Sequence, residues 1–252
     1  MITSRTPDVR RPAPHGPGAD LFSRRVRATA SQNPLRPVRI LAVGCGDPAM
    51  PDLDLPNVAH HVTGIDDDTP ALRAQAEARR GLDTVQLGDL RTARLPPRTF
   101  DIVYSAYLVE RTPHAELVLD RCVSALRPGG LLLLRIRDRD SAVGAWRRLG
   151  RFVPGTSPRP RRATPRHTGD GARPLPAVYG PLASARGIHW FCLMRGLSIA
   201  EEYATGAPAA AGSAMAAACH LLHTLTRGRR SADHTELVYV IRNPESRAAR
   251  LL

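Results

Sequence analysis

Between residues 38 and 136 short apolar runs, the first three closed by a glycine or an acid, alternate with more polar stretches bearing helix-end signals. Val38 to Val43 runs into Gly44, His61 to Ile65 into Asp66, and Thr84 to Leu87 into Gly88 and Asp89. Asp101 to Ser105 and Leu131 to Ile136 are the fourth and fifth runs. Runs this short, closed by turn residues, are the signature of strands buried on both faces. The stretches between them read as helices. Thr69-Pro70 supplies an N-cap and a first-position proline, and Gly81 a stop. Thr112-Pro113 opens a second helix with Val118, Leu119, Cys122 and Leu126 on one face, and Pro128-Gly129-Gly130 closes it. Strands that alternate with helices pair in parallel, because each crossover helix carries the chain back to the same end of the sheet. The fold class is therefore α/β, a Rossmann-like doubly wound sheet, mostly parallel. Ser184 to Leu197 reads as a further helix, Ser198 to Tyr203 as a strand, and Thr235 to Ile241 as a last strand, expected to be antiparallel.

The flanking segments follow a different rule. Residues 1–36 hold Pro7, Pro12, Pro14, Pro17 and Pro34 among many arginines and few large apolar residues, so most of this segment is expected to be disordered. One short helix over 20–30 is compatible with it. Pro154 to Pro181 holds Pro154, Pro158, Pro160, Pro165, Pro174 and Pro176 among arginines and glycines, and reads as a long Pro/Arg-rich loop. This leaves one domain, 37–252, with the loop at 154–181 inside it, and a 252-residue chain is long enough to bury its core.

Charge and cysteine content limit the partners. The formal net charge is +13, yet all 36 basic residues are arginine in a chain rich in Ala, Pro and Gly, a pattern that looks like GC-rich coding bias. With aromatics at 4%, few side chains could stack on bases, which argues against a nucleic-acid partner. Cys45, Cys122, Cys192 and Cys219 form no CxxC pair, so neither a metal site nor a disulfide scaffold is expected, and a cytoplasmic location suits them. The N-terminus has no apolar core of the kind a signal peptide needs. Ala207 to Leu225 is interrupted by Gly212, His220 and His223; it reads as a packed or interfacial helix, leaving only peripheral membrane contact open.

In an open parallel sheet, ligands bind beyond the carboxyl ends of the strands. Gly44-Cys45-Gly46 follows the first strand, Asp66 the second, Asp89 the third and Ser105 the fourth. Alone, a GxG is an ordinary tight turn and a lone acid an ordinary helix cap; their ordered recurrence at strand ends points to a ligand. Gly44-Cys45-Gly46-Asp47-Pro48-Ala49 has no third glycine, and Asp47 would repel a pyrophosphate. A cationic adenosyl ligand without phosphate suits an acidic rim better.

Ile40 to Gly46, Val62 to Asp66, Gly88-Asp89-Leu90, Phe100 to Val103 and Leu126 to Gly130 together resemble the successive motifs of the class I methyltransferases, and are most similar to the small-molecule branch called type 11. The resemblance covers about residues 37 to 137. It implies S-adenosylmethionine (SAM) as cofactor. Val43, Gly44, Cys45 and Gly46 would pass along its methionine portion, and Asp66, with Asp67 beside it, would hold the ribose. Asp89 would accept from the adenine amine, Leu90 would pack on the ring, and Ser105 would border the transferable methyl. The implied activity is methyl transfer to an unidentified small-molecule acceptor. Three positions depart from the pattern: Ala42 where an acid is usual, Pro48 in place of a glycine, and a proline-rich Asp47 to Pro56 in place of a first helix. They motivate a second reading, a degenerate non-catalytic Rossmann-like domain that binds a partner. A third, a nucleic-acid methyltransferase, rests on charge alone.

Methyl transfer needs alignment and desolvation and no protein nucleophile. For a hydroxyl acceptor, His114 or His189 could serve as base, although the first also reads as a solvated helix-start residue and the second as a packing residue beside Trp190 and Phe191. Tyr107 and Glu110 are pocket liners or surface residues. Glu110-Arg111 stands where relatives often carry Glu-His, and Arg111 cannot act as a base near neutral pH. The arginine-rich region 137–197 reads either as a recognition element for an anionic or membrane-proximal acceptor or as a solvated loop.

Overall fold

The computed structural model describes residues 17–47, 50–51, 53, 55–149, 180–206, 213–226 and 233–244. Seven strands form one sheet in the order β3-β2-β1-β4-β5-β7-β6. They are β1 (Val38–Val43), β2 (His60–Asp66), β3 (Thr84–Leu87), β4 (Phe100–Ala106), β5 (Leu126–Arg137), β6 (Ser198–Thr205) and β7 (Glu236–Arg242). The pairs β1–β2, β2–β3, β1–β4 and β4–β5 are parallel, while β7 runs antiparallel to both β5 and β6. From β1 the chain steps outward to β3 and then returns to lay β4 against the other side of β1, so the winding reverses between β1 and β4. A crevice opens at such a reversal, beyond the carboxyl ends of the two strands.

Side-chain alternation divides the core between the two faces of the sheet. Leu41, Val43, Val103, Leu132 and Leu134 face one side, where they meet Val118, Leu119 and Cys122 of α3 (Ala115–Ala125) and Ile188, Phe191 and Cys192 of α5 (Ala185–Arg195). Ile40, Ala42, Ile102, Tyr104, Leu131 and Leu133 face the other, against Leu21, Phe22 and Val26 of α1 (Pro17–Gln32). Every residue of β4 is buried, as expected for the strand at the centre of a doubly covered sheet. The remaining helices are α2 (Pro70–Ala78), α4 (Ala142–Leu149) and α6 (Ser213–Leu225). No helix among the described residues is long and apolar enough to cross a membrane.

Several local expectations are met. Thr69 caps α2, its hydroxyl accepting from the Leu72 amide at 3.3 Å with Pro70 in the first turn. Ser184 caps α5 in the same way, and Gly196 ends that helix in the left-handed conformation at φ 65°.

Other expectations are corrected. The helix expected over 20–30 runs Pro17–Gln32, and its Leu21, Phe22 and Val26 are buried, so this part of the N-terminal segment belongs to the core; residues 1–16 lie outside the described residues. The helix α3 starts at Ala115, not at Thr112-Pro113, because His114 takes a left-handed conformation (φ 56°, ψ 44°) with no side-chain cap. Pro128-Gly129-Gly130 does not close that helix: it lies within β5, which Leu126 begins as soon as α3 ends. The helix α4 had no counterpart in the sequence pattern. The loop expected over 154–181 falls almost wholly outside the described residues. Between β1 and β2 the described residues form no helix; Met50, Leu53 and Leu55 instead drop into the α1 side of the core.

Phe22 is 1% exposed and meets Tyr104 edge-to-face, ring centroids 5.0 Å apart. Phe22→Ala should therefore destabilise the protein by about 3–5 kcal/mol in urea unfolding. A loss below about 1 kcal/mol, the range of surface changes, would show that α1 is not part of the cooperative core.

Candidate functional site

The glycine loop is fastened before any ligand is considered. Gly44 leaves β1 at φ 77°, a conformation suited to glycine, and the amides of Gly44 and Cys45 both donate to the Ile65 carbonyl, at 2.9 and 3.3 Å. The Gly46 amide donates to Asp66 Oδ2 at 2.7 Å and the Asp67 amide to Asp66 Oδ1 at 2.8 Å. A Cβ at Gly46 would stand 2.9 Å from the Leu72 carbonyl oxygen and 3.0 Å from Asp66 Oδ2, so this approach requires glycine. Asp66 is buried, and that burial raises its carboxyl above the ordinary value even though the two amides pull the other way. Each of its oxygens has one amide partner and a second lone pair to offer. Asp67 continues the chain of contacts, its Oδ1 accepting from the Leu90 amide at 3.2 Å and so tying the end of β2 to the segment after β3.

Beside this carboxylate lies a cavity of about 230 Å³, whose lining includes Asp66, Gln86, Gly88, Asp89 and Leu90. It is smaller than the roughly 300–1,000 Å³ clefts that hold drug-sized ligands, a size suited to a single ring system. Leu90 is buried and offers an apolar surface. Asp89 is exposed and gripped by its neighbour: Arg91 donates to both carboxylate oxygens, at 2.9 and 2.8 Å, and holds the carboxyl down at about 2.

The carboxyl end of β4 has a different character. The Ser105 hydroxyl is buried without a hydrogen-bond partner. Tyr107 follows at φ 54°, an uncommon conformation for a bulky residue, with the Arg137 guanidinium 4.4 Å from its ring centroid. Glu110 is fully buried with neither carboxylate oxygen hydrogen-bonded, and the Arg137 guanidinium approaches only to 4.0 Å. Burial pushes its carboxyl up to about 7, against the smaller opposing pull of backbone amides, Arg137 and Arg111. One residue on, Arg111 makes an ion pair with Asp47, and both side chains are about nine-tenths buried. Its Nε also donates to the Tyr107 carbonyl at 2.5 Å.

The structure brings Val43, Gly44, Cys45, Gly46, Asp66, Asp67, Asp89, Leu90 and Ser105 to the carboxyl ends of adjacent strands and the turns after them. Cys45 contributes only backbone: its thiol packs on Gly64, where a Cβ would come within 2.9 Å of the sulfur. His114 and His189 do not join Ser105 and Glu110. His114 is exposed in an open groove with Asp89 and Arg121, its Nδ1 3.4 Å from Glu116. His189 Nε2 lies 2.7 Å from Glu202 on β6, whose other oxygen accepts from Tyr239 at 3.0 Å. Glu110 is the titratable group that the sequence leaves undistinguished, although its position directly after the apolar Leu108-Val109 is a signal of burial. One premise also changes. Asp47 is compensated by Arg111, so its charge is not what disfavours a phosphate; rather, no helix N-terminus follows the glycine loop among the described residues. The placement of Asp66 fits the ribose of an adenosyl ligand.

Comparison with known proteins agrees with the fold. Residues 41–134 match a family model described as a methyltransferase domain. A ubiquinone biosynthesis O-methyltransferase of Xylella fastidiosa is 30% identical over 139 residues, 52% of this chain and 55% of the relative. The matches span between 38% and 55% of the length of the curated relatives found. Among solved structures, the magnesium protoporphyrin IX methyltransferase of Synechocystis, with bound S-adenosylhomocysteine, superposes with a TM-score of 0.52 over 91% of this chain and 84% of that one, at 14% identity. The N-methyltransferase NodS of Bradyrhizobium japonicum has the same TM-score, 0.52, at 17% identity over 92% and 90%. At such identities these two likenesses speak for the fold.

The raised carboxyl of Glu110 has a measurable consequence. The folded chain holds this proton where the unfolded chain, titrating near the ordinary 4.5, has lost it, so stability falls as pH rises from about 4.5 to about 7. At about 1.4 kcal/mol per pH unit, that interval amounts to roughly 3 kcal/mol. Glu110→Gln should match the wild type near pH 4 and exceed it by up to about 3 kcal/mol at pH 8 in chemical denaturation. A difference independent of pH would show that the carboxylate is fully compensated in solution.

Proposed function

Residues 41–134 of the chain match a methyltransferase domain, and from that premise we propose that the protein binds SAM along the carboxyl ends of β1 to β4 and transfers its methyl group to a small-molecule hydroxyl acceptor. The observation that carries this reading is the Asp66 carboxylate, fixed by the Gly46 and Asp67 amides at the mouth of the crevice beside a cavity of single-ring size.

When bound, SAM supplies a methyl carbon already activated by its sulfonium. The chain's own work is to bind, orient and exclude water. Asp66 would accept from the ribose hydroxyls with its remaining lone pairs, an arrangement that needs no reorganisation because two amides already hold the carboxylate. Gly88, Asp89 and Leu90 would take the adenine, Leu90 against its face and Asp89 against its amine, while Gly44 and Gly46 would let the methionine portion pass close to backbone. Ser105 brings an unengaged hydroxyl to the end of β4. Glu110, changing charge near neutrality, would hold the proton released by a hydroxyl acceptor, with Arg137 near enough to favour its charged form. The Xylella relative is an O-methyltransferase, which supports oxygen as the acceptor atom.

A second reading, a domain that binds without catalysis, is favoured by one observation: the Asp47–Arg111 pair already occupies the margin of the crevice. S-adenosylhomocysteine at saturation should raise the melting temperature by mass action, and NAD should not. Asp66→Ala should weaken S-adenosylhomocysteine by about 1–3 kcal/mol in calorimetry while far-UV circular dichroism stays unchanged. Stabilisation by NAD but not by S-adenosylhomocysteine would overturn the assignment; binding with no methyl transfer to any of a panel of phenolic acceptors would favour the second reading.

A further inference from the structure

The winding of the sheet reverses between β1 and β4, and one ion pair joins the segments that leave these two strands. Asp47 follows the glycine loop of β1, and Arg111 lies on the turn after β4. Both side chains are about nine-tenths buried. Such a pair contributes little net stability, because withdrawing two charges from water offsets most of their attraction. Arg111 is anchored apart from Asp47: its Nε donates to the Tyr107 carbonyl at 2.5 Å, and the guanidinium reaches toward the Ala106 carbonyl at 3.5 Å. Asp47 is likewise held by its backbone, its carbonyl accepting from Arg79 at 2.6 Å. Each charge would therefore keep its place if the other found a new partner. The Arg111 charge also acts, weakly, to favour the ionised form of the Asp66 carboxylate, the proposed ribose acceptor.

Asp47 directly follows Gly46, whose amide donates to Asp66, so a ligand whose adenosyl part rested on Asp66 and Leu90 would extend its other end toward this margin. In SAM and S-adenosylhomocysteine that end is a free amino acid, with one ammonium and one carboxylate. The upper half of β1, Ile40 to Val43, offers no charged side chain to either group. We propose that Asp47 and Arg111 are the recognition pair for this zwitterion, Arg111 taking the carboxylate and Asp47 the ammonium as their mutual contact opens. The inference rests on the SAM reading above. One ion pair is exchanged for two, no net charge is added to a nearly dry margin, and the planar guanidinium can meet the carboxylate with two parallel hydrogen bonds. No proton moves and no bond is broken. The pair is thus a specificity device: an adenosine derivative without the amino acid must leave it closed, and one with only half of the zwitterion must leave one charge without a partner.

Calorimetry with three probes separates these contributions. S-adenosylhomocysteine carries both charges, its decarboxylated analogue only the ammonium, and 5′-methylthioadenosine neither. The wild type should prefer S-adenosylhomocysteine to the decarboxylated analogue by roughly tenfold or more, and Arg111→Met should reduce that preference below about threefold while changing the affinity for 5′-methylthioadenosine by no more than about twofold. Arg111→Lys should restore part of the preference, and Asp47→Asn should erase any advantage of the decarboxylated analogue over 5′-methylthioadenosine. If Arg111→Met keeps the wild-type preference, or weakens all three probes equally, the pair is a structural clasp and the proposal fails. If the wild type binds none of the three, it is the SAM reading that fails; if it binds all three with equal affinity, only the role of the pair does.

Discussion

The organisation of the crevice depends on one buried carboxylate. Asp66 accepts from the amide of Gly46 on the loop after β1 and from the amide of Asp67 beyond β2. These two bonds do more than hold a side chain in a chosen direction. They satisfy loop amides that would otherwise face a nearly dry crevice at a cost of about 1–3 kcal/mol each, and they set the distance between two adjacent strand ends. Asp67, turned toward the Leu90 amide, extends the same arrangement to the segment after β3. The three strand ends on one side of the winding reversal are thus linked by two consecutive acids, which is why the geometry there can be rigid although the connection between β1 and β2 contains no helix among its described residues.

Polar satisfaction is unequal at the two ends of the sheet. At the amino end of β4, Asp101 receives Arg36 on both oxygens, at 2.8 and 2.7 Å, together with the Arg39 amide and Arg127. These contacts hold its carboxyl below the ordinary range in spite of burial. At the carboxyl ends, Ser105, Glu110 and Thr205 are buried with side-chain oxygens that no described group satisfies. Folding stability alone gives no reason for this difference, since each unpaired buried oxygen is a penalty. A binding site does give one, because polar atoms reserved for a ligand must be left without internal partners.

The strands, and the glycines and acids that close them, were legible in the sequence because each rests on local chemistry. The run from Val38 to Val43 can be buried on both faces only as a central strand, and glycine at 44 and 46 meets a backbone requirement visible without coordinates. What escaped the sequence is what depends on contacts between distant residues. The helix α1 was foreseen only as a short helix over 20–30 in an otherwise disordered segment, since its few large apolar residues, Leu21, Phe22 and Val26, gain their value from Tyr104 and neighbouring residues far along the chain. The start of α3 shifted past Thr112-Pro113 because His114 turns left-handed. Glu110 and Arg111 read as an altered motif; their burial, and the closure of Arg111 on Asp47, come from the return of β4 to the side of β1.

The packing of α1 also bears on how the chain is made. Its apolar stripe rests on Tyr104 of β4 and shares a core with Val238 and Val240 of β7, and Arg25 pairs with Glu201 across 176 positions. The helix α1 is thus held by strands that are synthesised long after it. Until β4 is in place the stripe has nothing to cover, and until β7 arrives part of its seat is missing. Contacts of such long sequence separation delay folding, because a large loop entropy must be overcome before they contribute. During that interval Leu21, Phe22 and Val26 lack the partners that bury them in the folded protein.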